Sequence, residues 1–447
     1  MSLDEIIPYL SSILQEQDCT LRKARGLVNI INDAWVIACQ IAVKIVELLL
    51  EERAKSCVKP DRCPKCGAKL ESKGLRNRRI VSLIGLIKWR RRPYGCTNKC
   101  GVGQIAPLDE ELGLNPHQRV GFDVQRAACM LAVFVPFETA SKLLHRLIGL
   151  KVSSGAIWEW VRQAGTKSML RLQEELDALE NGEIEPEDFK ESSLSAIVGA
   201  DGVMAPFRPE KGKPNGRTVW REVKVGMMGR VSRCIGPKGT VVRKLVRKRL
   251  VAVLGGIRDL KQRLVLEATK QCIHKASQVA WISDGARGLW NLYEDAFIKR
   301  SRGILDFYHA AQHLWEAARI WLDGRTNQAK EWFKNARHRL RHGQHNEVIQ
   351  DVQNALSIPG LPNGAYRTLA NLLQYLETHR EHIDYEGFKE LGLPIGSGMV
   401  ESACKWLIQQ RFKGVGMRWS EEGFNHLLHL RLDWVNGRFD DQLFSPQ

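Results

Sequence analysis

The sequence lacks an uninterrupted apolar run that could cross a bilayer. The apolar stretch Ala34–Leu50 is broken by Gln40, Lys44 and Glu47, whereas a membrane-spanning helix needs about 20 consecutive apolar residues. The N-terminal segment MSLDEIIPYL also lacks the basic and then apolar parts of a secretory signal. These absences predict a cytoplasmic protein with no membrane partner.

Low-complexity tracts, internal repeats and an even cysteine count are also missing. Of the 447 residues, 44% are apolar and 26% are charged, an ordinary balance that excludes a disordered chain and allows two to four domains. Eleven cysteines are present, an odd number in a chain without a secretory signal. Reduced thiols or metal ligands are therefore expected rather than a disulfide framework.

Acidic residues are too few to balance the basic ones. The chain has 67 Lys and Arg against 50 Asp and Glu, a formal net charge of +17. Such a surplus attracts polyanions, of which nucleic acid is the commonest. Charge alone does not separate DNA from RNA, and a ribosome-associated protein would share this composition.

Short apolar runs in residues 194–306 predict a sheet. Three of them end in an acid, namely Ser195–Asp201, Val279–Asp284 and the short run Ile304–Asp306. The other predicted elements of this region are the strands Val219–Arg230 and Lys248–Leu254 and the helix Ile257–Gln271. This succession indicates an α/β domain. From His309 to about His382 the periodicity is almost entirely helical.

Two cysteine pairs predict a zinc ribbon. Cys63 and Cys66 flank Pro-Lys, and Cys96 and Cys100 flank Thr-Asn-Lys. Two thiolate pairs on tight turns joined by a hairpin can assemble a tetrahedral, structural Zn²⁺ site. The second spacing is one residue longer than usual, and Cys57 could replace a ligand. Free cysteines in a basic hairpin are the alternative.

The segment between the cysteine pairs is basic and has no acid from Lys73 to Arg92. A hairpin with this charge suits a DNA backbone or groove, although a solvated face is the default interpretation of a charge run. The residues predicted to bind DNA here are Arg76, Arg78, Arg79, Arg90, Arg91 and Arg92.

A helix-turn-helix pattern follows. One helix runs from Pro136 to the turn at Gly149, and a second begins at Ser154, where Ser153 or Ser154 could supply the cap. This grammar is typical of DNA-binding helix pairs. An ordinary helical hairpin fits the pattern equally well.

Three acids stand out by their context. Asp201 and Asp284 each end a predicted strand and precede a glycine, and Glu401 follows the glycine-rich turn Gly392–Gly398. Carboxylates are the oxygen ligands that hard divalent cations prefer. Two such cations can clamp the attacking and leaving oxygens of a displacement at phosphorus. A surface group or helix cap remains the alternative for each acid taken singly.

Asp306 and His309 form a further close pair in Ile-Leu-Asp-Phe-Tyr-His. Asp306 could orient His309 in a cleft, or either residue could touch nucleic acid. A helix N-cap and a satisfied histidine are the alternative.

Four blocks of the second half resemble one protein family. They read VGADGV, WISDGARGLW, ILDFYHAAQHL and LPIGSGMVESACKWLIQQRFKGVGMRWS, and they resemble bacterial insertion-sequence transposases of the Kra type, which are related to Mutator-like DDE transposases. The likeness runs from about Leu194 to the C-terminus, and the last block is long and specific.

The resemblance implies a ribonuclease-H-like core interrupted by an all-helical insertion. It implies that Asp201, Asp284 and Glu401 bind two Mg²⁺ ions, for which Mn²⁺ may substitute, and that Asp306 and His309 lie beside them as further catalytic residues. The regions then expected are 1–56 helical, 57–106 zinc-ribbon-like, 107–190 helix-turn-helix-like, 191–308 first part of the core, 309–391 helical insertion and 392–447 last part of the core with the Glu-bearing helix.

The expected partners are the terminal inverted repeats of the element, target DNA and further copies of the chain. Lys405, Arg411, Lys413 and Arg418 follow Glu401 and are expected to meet substrate phosphates. Ile37–Leu50 or the helical insertion could mediate a dimer or a larger assembly. A DNA-binding protein without catalysis, or a nuclease that cannot join strands, are the rival functions.

Overall fold

The computed structural model describes residues 3–23, 25–187, 190–209, 217–236 and 239–440. The chain divides into two units, Met1–Ala164 with Asp440–Gln447, and Gly165–Phe439. Both helices and strands are present, as expected for a mixed α/β protein. Within the described ranges, every helix is too short or too polar to span a lipid bilayer.

The first unit combines helices with two small sheets. Strands β1, β4 and β5 form an antiparallel sheet, and β2 and β3 form a hairpin. The hairpin packs on α2 through a small core that includes Leu50, Ile80 and Trp89. The elements are α1 Leu3–Lys23, α2 Leu27–Ser56, β1 Leu70–Ser72, β2 Arg76–Ser82, β3 Gly85–Arg91, β4 Tyr94–Cys96, β5 Gln104–Ile105, α3 Pro107–Glu111, α4 Phe122–Phe134 and α5 Phe137–Ile148.

The two helices of the expected helix-turn-helix are present. Helix α5 ends at Gly149, whose φ of 73° is the left-handed conformation that glycine adopts readily. Helix α6, Ser154–Glu180, follows, and the Ser153 hydroxyl accepts a hydrogen bond from the N–H of Ala156 at 3.1 Å. Ala140 and Ile157 are fully buried. Whether this pair reads DNA stays a prediction.

The second unit is built on one sheet and many helices. Its elements are β6 Ala196–Phe207, β7 Val219–Ile235, β8 Val241–Val253, α7 Ile257–Lys270, β9 Val279–Ser283, α8 Arg287–Ala296, β10 Arg302–Leu305, α9 Phe307–Trp321, α10 Asn327–Arg341, α11 His345–Leu356, α12 Asn363–Thr378, α13 Tyr385–Glu390, α14 Gly398–Cys404, a π-helical turn Lys405–Gln409, α15 Gln410–Phe412 and α16 Glu421–Val435.

The sheet of this unit has the order β10-β9-β6-β7-β8, with β6 in the centre. Strands β9 and β10 run parallel to β6. Strand β7 is antiparallel to both of its neighbours, β6 and β8. Helix α14 packs at Gly199 and α7 packs at Gly226. Since Gly226 is in register with Ala200, these two positions lie on opposite faces of the sheet. Helices therefore cover both faces, which is why residues 196–200 of β6 and 279–282 of β9 are uninterrupted apolar runs.

The predicted end of the first strand at Asp201 is wrong. Strand β6 continues to Phe207 because β7 extends the antiparallel ladder as far as Val219. The parallel ladder with β9 does stop here, since its last pair joins Ala200 to Ser283. Asp201 thus lies inside a long strand, at the point where one of its two neighbours ends.

The predicted strands on the other side of β6 are too short. Strand β7 reaches Ile235 and β8 begins at Val241, and the two pair over this extension. The extension carries arginine and lysine and is largely exposed, so it lacks the apolar alternation that would have predicted it. The helical prediction after His309 is confirmed by helices α9 to α13.

Gly199 is where α14 meets the sheet, and its replacement tests this packing. A Cβ atom there would lie 2.6 Å from Cγ2 of Val400 and 2.8 Å from the carbonyl oxygen of Ile282. We expect Gly199→Ala to lower the free energy of unfolding by about 1–3 kcal/mol, because overpacking forces these groups apart. Chemical denaturation measures the change.

Gly364→Ala is the matched control, because a Cβ at this helical position meets nothing within 4 Å and alanine favours the helix. Equal midpoints for the Gly199 variant and the unmodified protein would contradict the close contact.

Candidate active site and metal centre

Three acids lie at one level across three neighbouring strands. The register joins Ala200 of β6 to Ser283 of β9, and Ser283 to Leu305 of β10. The next residues along the chain are Asp201, Asp284 and Asp306. Acids at the carboxyl ends of parallel strands meet at one edge of a sheet, where ligands commonly bind.

Glu401 reaches the same place from α14. The side chain of Val400 lies over Gly199, two residues before Asp201. Cys404, one helical turn after Glu401, has its Sγ atom 3.9 Å from Oδ2 of Asp201. Residues three apart share one face of a helix, so the face of α14 that carries Glu401 is turned towards Asp201.

The charges of these acids act on one another. Burial raises the pKa of the Asp201 carboxyl above its ordinary value, and the negative charges of Asp284 and Glu401 raise it further. The N–H of Gly202 and the charge of His309 act in the opposite direction. No lysine or arginine of the described chain forms an ion pair with Asp201, Asp284 or Glu401, so His309 is the one positively charged group among the influences on the pKa of Asp201.

Asp201, Asp284 and Glu401 keep oxygens available for a ligand. Asp201 accepts the N–H of Gly202 through Oδ1, and Asp284 accepts the N–H of Ala286 through Oδ1. Among the described residues, no group donates a hydrogen bond to Oδ2 of Asp284 or to either oxygen of Glu401. Oδ2 of Asp201 has only the Cys404 thiol near it, at 3.9 Å. Within the described ranges, the three carboxylates do not form a group whose ligand atoms all lie close enough together to hold a single ion.

Asp306 differs from the other acids because the backbone occupies both of its oxygens. Oδ1 accepts the N–H of His309 at 2.8 Å and caps α9, and Oδ2 accepts the N–H of Ser397. The residue is fully buried. Asp306 therefore ties the turn before α14 to the end of β10. The ring of His309 lies at the rim, with its side chain 38% exposed and Nδ1 3.9 Å from Asp306.

Two aromatic residues near Asp284 were not found by sequence reasoning. Tyr375 of α12 packs against Gly285, where a Cβ would lie 2.2 Å from its ring, and its buried hydroxyl has no hydrogen-bond partner in the described chain. His313 stacks on Tyr375 with ring centroids 4.2 Å apart. His313 follows His309 by one helical turn, a spacing that could have been noticed, whereas nothing in the sequence marks Tyr375.

Four cysteine thiols of the first unit converge as expected. The Sγ atoms of Cys63, Cys66, Cys96 and Cys100 all lie within 4.8 Å of one another. Two pairs are 3.5 and 3.4 Å apart, close to the spacing of about 3.8 Å that tetrahedral zinc with bonds of about 2.3 Å imposes. This is the only group of its kind within the described ranges. The cluster could bind zinc, and Cys57 is not part of it.

Thiolate character supports a metal centre. Burial raises the pKa of the Cys63 thiol, but backbone N–H groups and neighbouring thiols outweigh this and lower it to about 7. The pKa of Cys96 is also lowered, against the effect of burial. The backbone N–H of Ala68 lowers the pKa of Cys66, but the neighbouring thiols and burial outweigh it and raise this pKa to about 12. Metal binding requires deprotonated thiols, so a cation would have to displace the proton of Cys66.

The basic hairpin β2–β3 divides its arginines between two faces. Arg79 pairs with Lys88 across the hairpin, and both are exposed. Arg78 and Arg91 are turned inwards to Asp109, with Nε to Oδ2 distances of 3.7 and 2.7 Å. The prediction that these two arginines bind DNA is therefore contradicted, because alternation along a strand turns every second side chain to the other face. Exposed positions are Arg76, Arg79, Arg90 and Arg92.

Arg411 is a second correction among the predicted DNA-binding residues. It is 2% exposed, and its guanidinium lies 5.3 Å from the centroid of Trp419. Sequence reasoning missed Trp220, which is 52% exposed and lies 5.3 Å below the ammonium of Lys413. The other predicted residues, Lys405, Lys413 and Arg418, are exposed.

Comparison with known proteins gives distant relatives. No family model matches the chain. A curated protein of Streptococcus gallolyticus, described as "UPF0236 protein in vanSb 3'region", is 23% identical over 373 residues, 82% of this chain and 74% of that protein. A solved "Drosophila P element transposase strand transfer complex" aligns with 75% of this chain and 96% of its own at 9% identity and a TM-score of 0.34, a likeness too low to carry an argument about this chain.

We expect the purified chain to hold one zinc ion per molecule at the four thiols. Cys63→Ser should remove it, because structural zinc needs all four ligands. Cys57→Ser is the matched control and should retain zinc, since Cys57 lies outside the cluster. Elemental analysis after extensive dialysis measures the content. Zinc loss in the control, or its retention in Cys63→Ser, would contradict the assignment.

Proposed function

We propose that this chain is a DNA transposase of an insertion sequence, of the Kra type that its motifs resemble. The observation that carries the proposal is the meeting of Asp201, Asp284 and Glu401, whose charges act on one another and which form no ion pair with a lysine or arginine of the described residues. The central strand β6 has one parallel and one antiparallel neighbour and is followed by helices and then the Glu-bearing helix. This order is compatible with a ribonuclease-H-like core and a helical insertion. The distant similarity to a UPF0236 protein extends over most of the chain.

The donor set fits divalent cations. Carboxylate oxygens are what Mg²⁺ and Mn²⁺ prefer, and acids that repel one another in a partly buried site gain most from a cation. Asp201, Asp284 and Glu401 would hold these ions. Bound cations supply an activated water or hydroxyl and neutralise the charge that develops on the phosphate.

The proposed reaction has two displacements at phosphorus. In the first, the oxygen of water bonds to phosphorus, the 3′-oxygen at the element's end leaves, and that oxygen takes up a proton. In the second, the freed 3′-hydroxyl attacks a phosphodiester of target DNA. One ester bond forms as one breaks, so no outside energy source is needed. The protein contributes positioning and charge rather than a covalent intermediate.

Asp306 acts in this proposal as a positioning residue. Its two backbone hydrogen bonds fix the start of α9 and the turn before α14, so that Glu401 keeps its distance from Asp201. His309 at the rim is assigned to contact the DNA strand beside the cleavage point. The hairpin β2–β3, through Arg79 and Arg90, and the helix pair α5–α6 bind the terminal repeats in this proposal.

Asp284→Asn tests the catalytic assignment. Asparagine can still accept the N–H of Ala286, but it loses the charge that binds the cation. We expect cleavage to fall at least about a hundredfold, because metal-assisted stabilisation supplies several kcal/mol, while DNA binding stays unchanged. The substrate is a plasmid carrying the gene with its own flanking DNA, and the products are excised element and joined strands.

Asp295→Asn is the control, an exposed carboxylate of α8 that lies 3.3 Å from Lys261. Cleavage by Asp284→Asn at the normal rate would leave the DNA-binding alternative. Cleavage by the unmodified chain without joining of a pre-cut end would indicate a nuclease instead.

Mg²⁺ should stabilise the chain through these acids. With a dissociation constant of about 1 mM, 10 mM Mg²⁺ adds about 1.4 kcal/mol and raises the unfolding temperature by a few degrees. In Asp201→Asn the rise in unfolding temperature with Mg²⁺ should be smaller. In EDTA the unfolding temperature of this variant should be no lower than that of the unmodified chain, because the repulsion between Asp201 and the other two acids is removed. Differential scanning calorimetry measures both, and an undiminished response would contradict metal binding by Asp201.

A further inference from the structure

Helix α10 carries a stripe of four basic residues. Lys330, Lys334, Arg337 and Arg341 are spaced by four, three and four residues, which places them along one side of a helix. All four side chains are exposed. We call these four residues the α10 stripe. The grooves beside it are also lined by His338, His342 and Lys389.

The α10 stripe has no acidic partner. None of its members forms an ion pair with a carboxylate among the described residues, and no acid lines the grooves beside it. Arg339, on another side of the same helix, behaves differently because it pairs with Asp351 and lies 4.0 Å from Glu347. A solvated charged face usually mixes both signs, so the stripe is prepared for an external anion.

Aromatic side chains form the floor of the groove. The guanidinium groups of Arg337 and Arg341 lie 5.7 and 5.8 Å from the ring centroid of Phe307. Tyr308, next in the chain, is 58% exposed. Stacking holds the two guanidinium groups in defined directions and lowers the entropy that they would lose on binding a phosphate.

The groove begins at the acid site. Phe307 and Tyr308 directly follow Asp306, and the Tyr308 ring packs on Gly396, where a Cβ would lie 2.8 Å from it. Gly396 belongs to the turn that leads to Glu401. Tyr308 therefore lies between the turn before α14 and the groove beside α10.

The dimensions match a nucleic-acid backbone. From Lys330 to Arg341 the helix rises about 16 Å at about 1.5 Å per residue. One strand of B-form DNA carries about five phosphates over this length, at about 3.4 Å each. Four cations at intervals of about 5.4 Å are spread over the same length, so they can contact phosphates along one strand without matching every phosphate in turn.

We propose that the α10 stripe binds the phosphate backbone of the DNA duplex as it leaves the acid site. The proposal rests on the proposed function and adds a binding surface to it. The contacts would be independent of sequence, since lysine and arginine at phosphates position a duplex without reading bases.

The double substitution Lys330→Ala and Lys334→Ala tests the stripe. Both side chains are exposed, so the helix should remain intact. Fluorescence anisotropy with a 40-base-pair duplex from the gene's flank, without divalent cations, gives affinity at several salt concentrations. We expect the slope of log affinity against log salt to fall by about 1.8, and affinity at 0.1 M salt to fall roughly tenfold or more.

Two matched variants control for the loss of positive charge and for folding. Lys299→Ala with Arg300→Ala removes two exposed cations after α8 and should leave the slope unchanged. Lys330→Arg with Lys334→Arg keeps the positive charge and should give the same slope as the unmodified chain. Circular dichroism checks that each variant is folded.

The outcomes separate the two proposals. A wild-type chain that does not bind the duplex at low salt contradicts the proposed function as well. Normal binding with an unchanged slope in the alanine variant overturns the stripe alone. A third outcome is that polyglutamate displaces DNA at equal charge concentration and that the alanine variant loses affinity for both ligands equally. This outcome would assign the groove to an acidic protein segment instead.

Discussion

The contact between Val400 and Gly199 holds two like charges beside each other. Asp201 and Glu401 repel, and burial adds to the cost of ionising Asp201. Helix α14 stays in place because Val400 fills the space that a side chain at position 199 would need. Repulsion between two partly solvated carboxylates amounts to a few kcal/mol at most, which close packing of a whole helix on a sheet can offset.

Asp306 provides the second fixation. Its carboxylate accepts hydrogen bonds from two backbone N–H groups, one at the start of α9 and one before α14. Charge-assisted hydrogen bonds of this kind are stronger than neutral ones. The strand end, the helical segment and the Glu-bearing helix are therefore joined at one residue, and a small displacement of any of them would change the distance from Glu401 to Asp201.

Local patterns were sufficient to predict some residues and insufficient for others. The strand Val279–Ser283 and its acid were predictable because a buried strand is an unbroken apolar run. The extent of β6 was not, because only pairing with β7 decides where it ends. The sequence shows which residues are basic but not which way their side chains point. Arg78, Arg91 and Arg411 were therefore predicted to bind DNA, although Arg78 and Arg91 contact Asp109 and Arg411 is buried. Tyr375 reaches Asp284 only through tertiary packing.

The thiol cluster and the proposed site at the acids differ in what the surrounding fold must provide for a metal ion. Around the four thiols, the apolar core has few members, among them Leu70, Tyr94 and Ile105. So small a core rarely stabilises a domain without a disulfide or a bound metal ion. Zinc would there supply folding energy itself. Around Asp201 the core is large and continuous, and the sheet and α14 hold the carboxylates together before any cation binds. A cation there would bind more tightly because it relieves the repulsion between carboxylates that the fold already holds together. Loss of that cation would leave the fold intact.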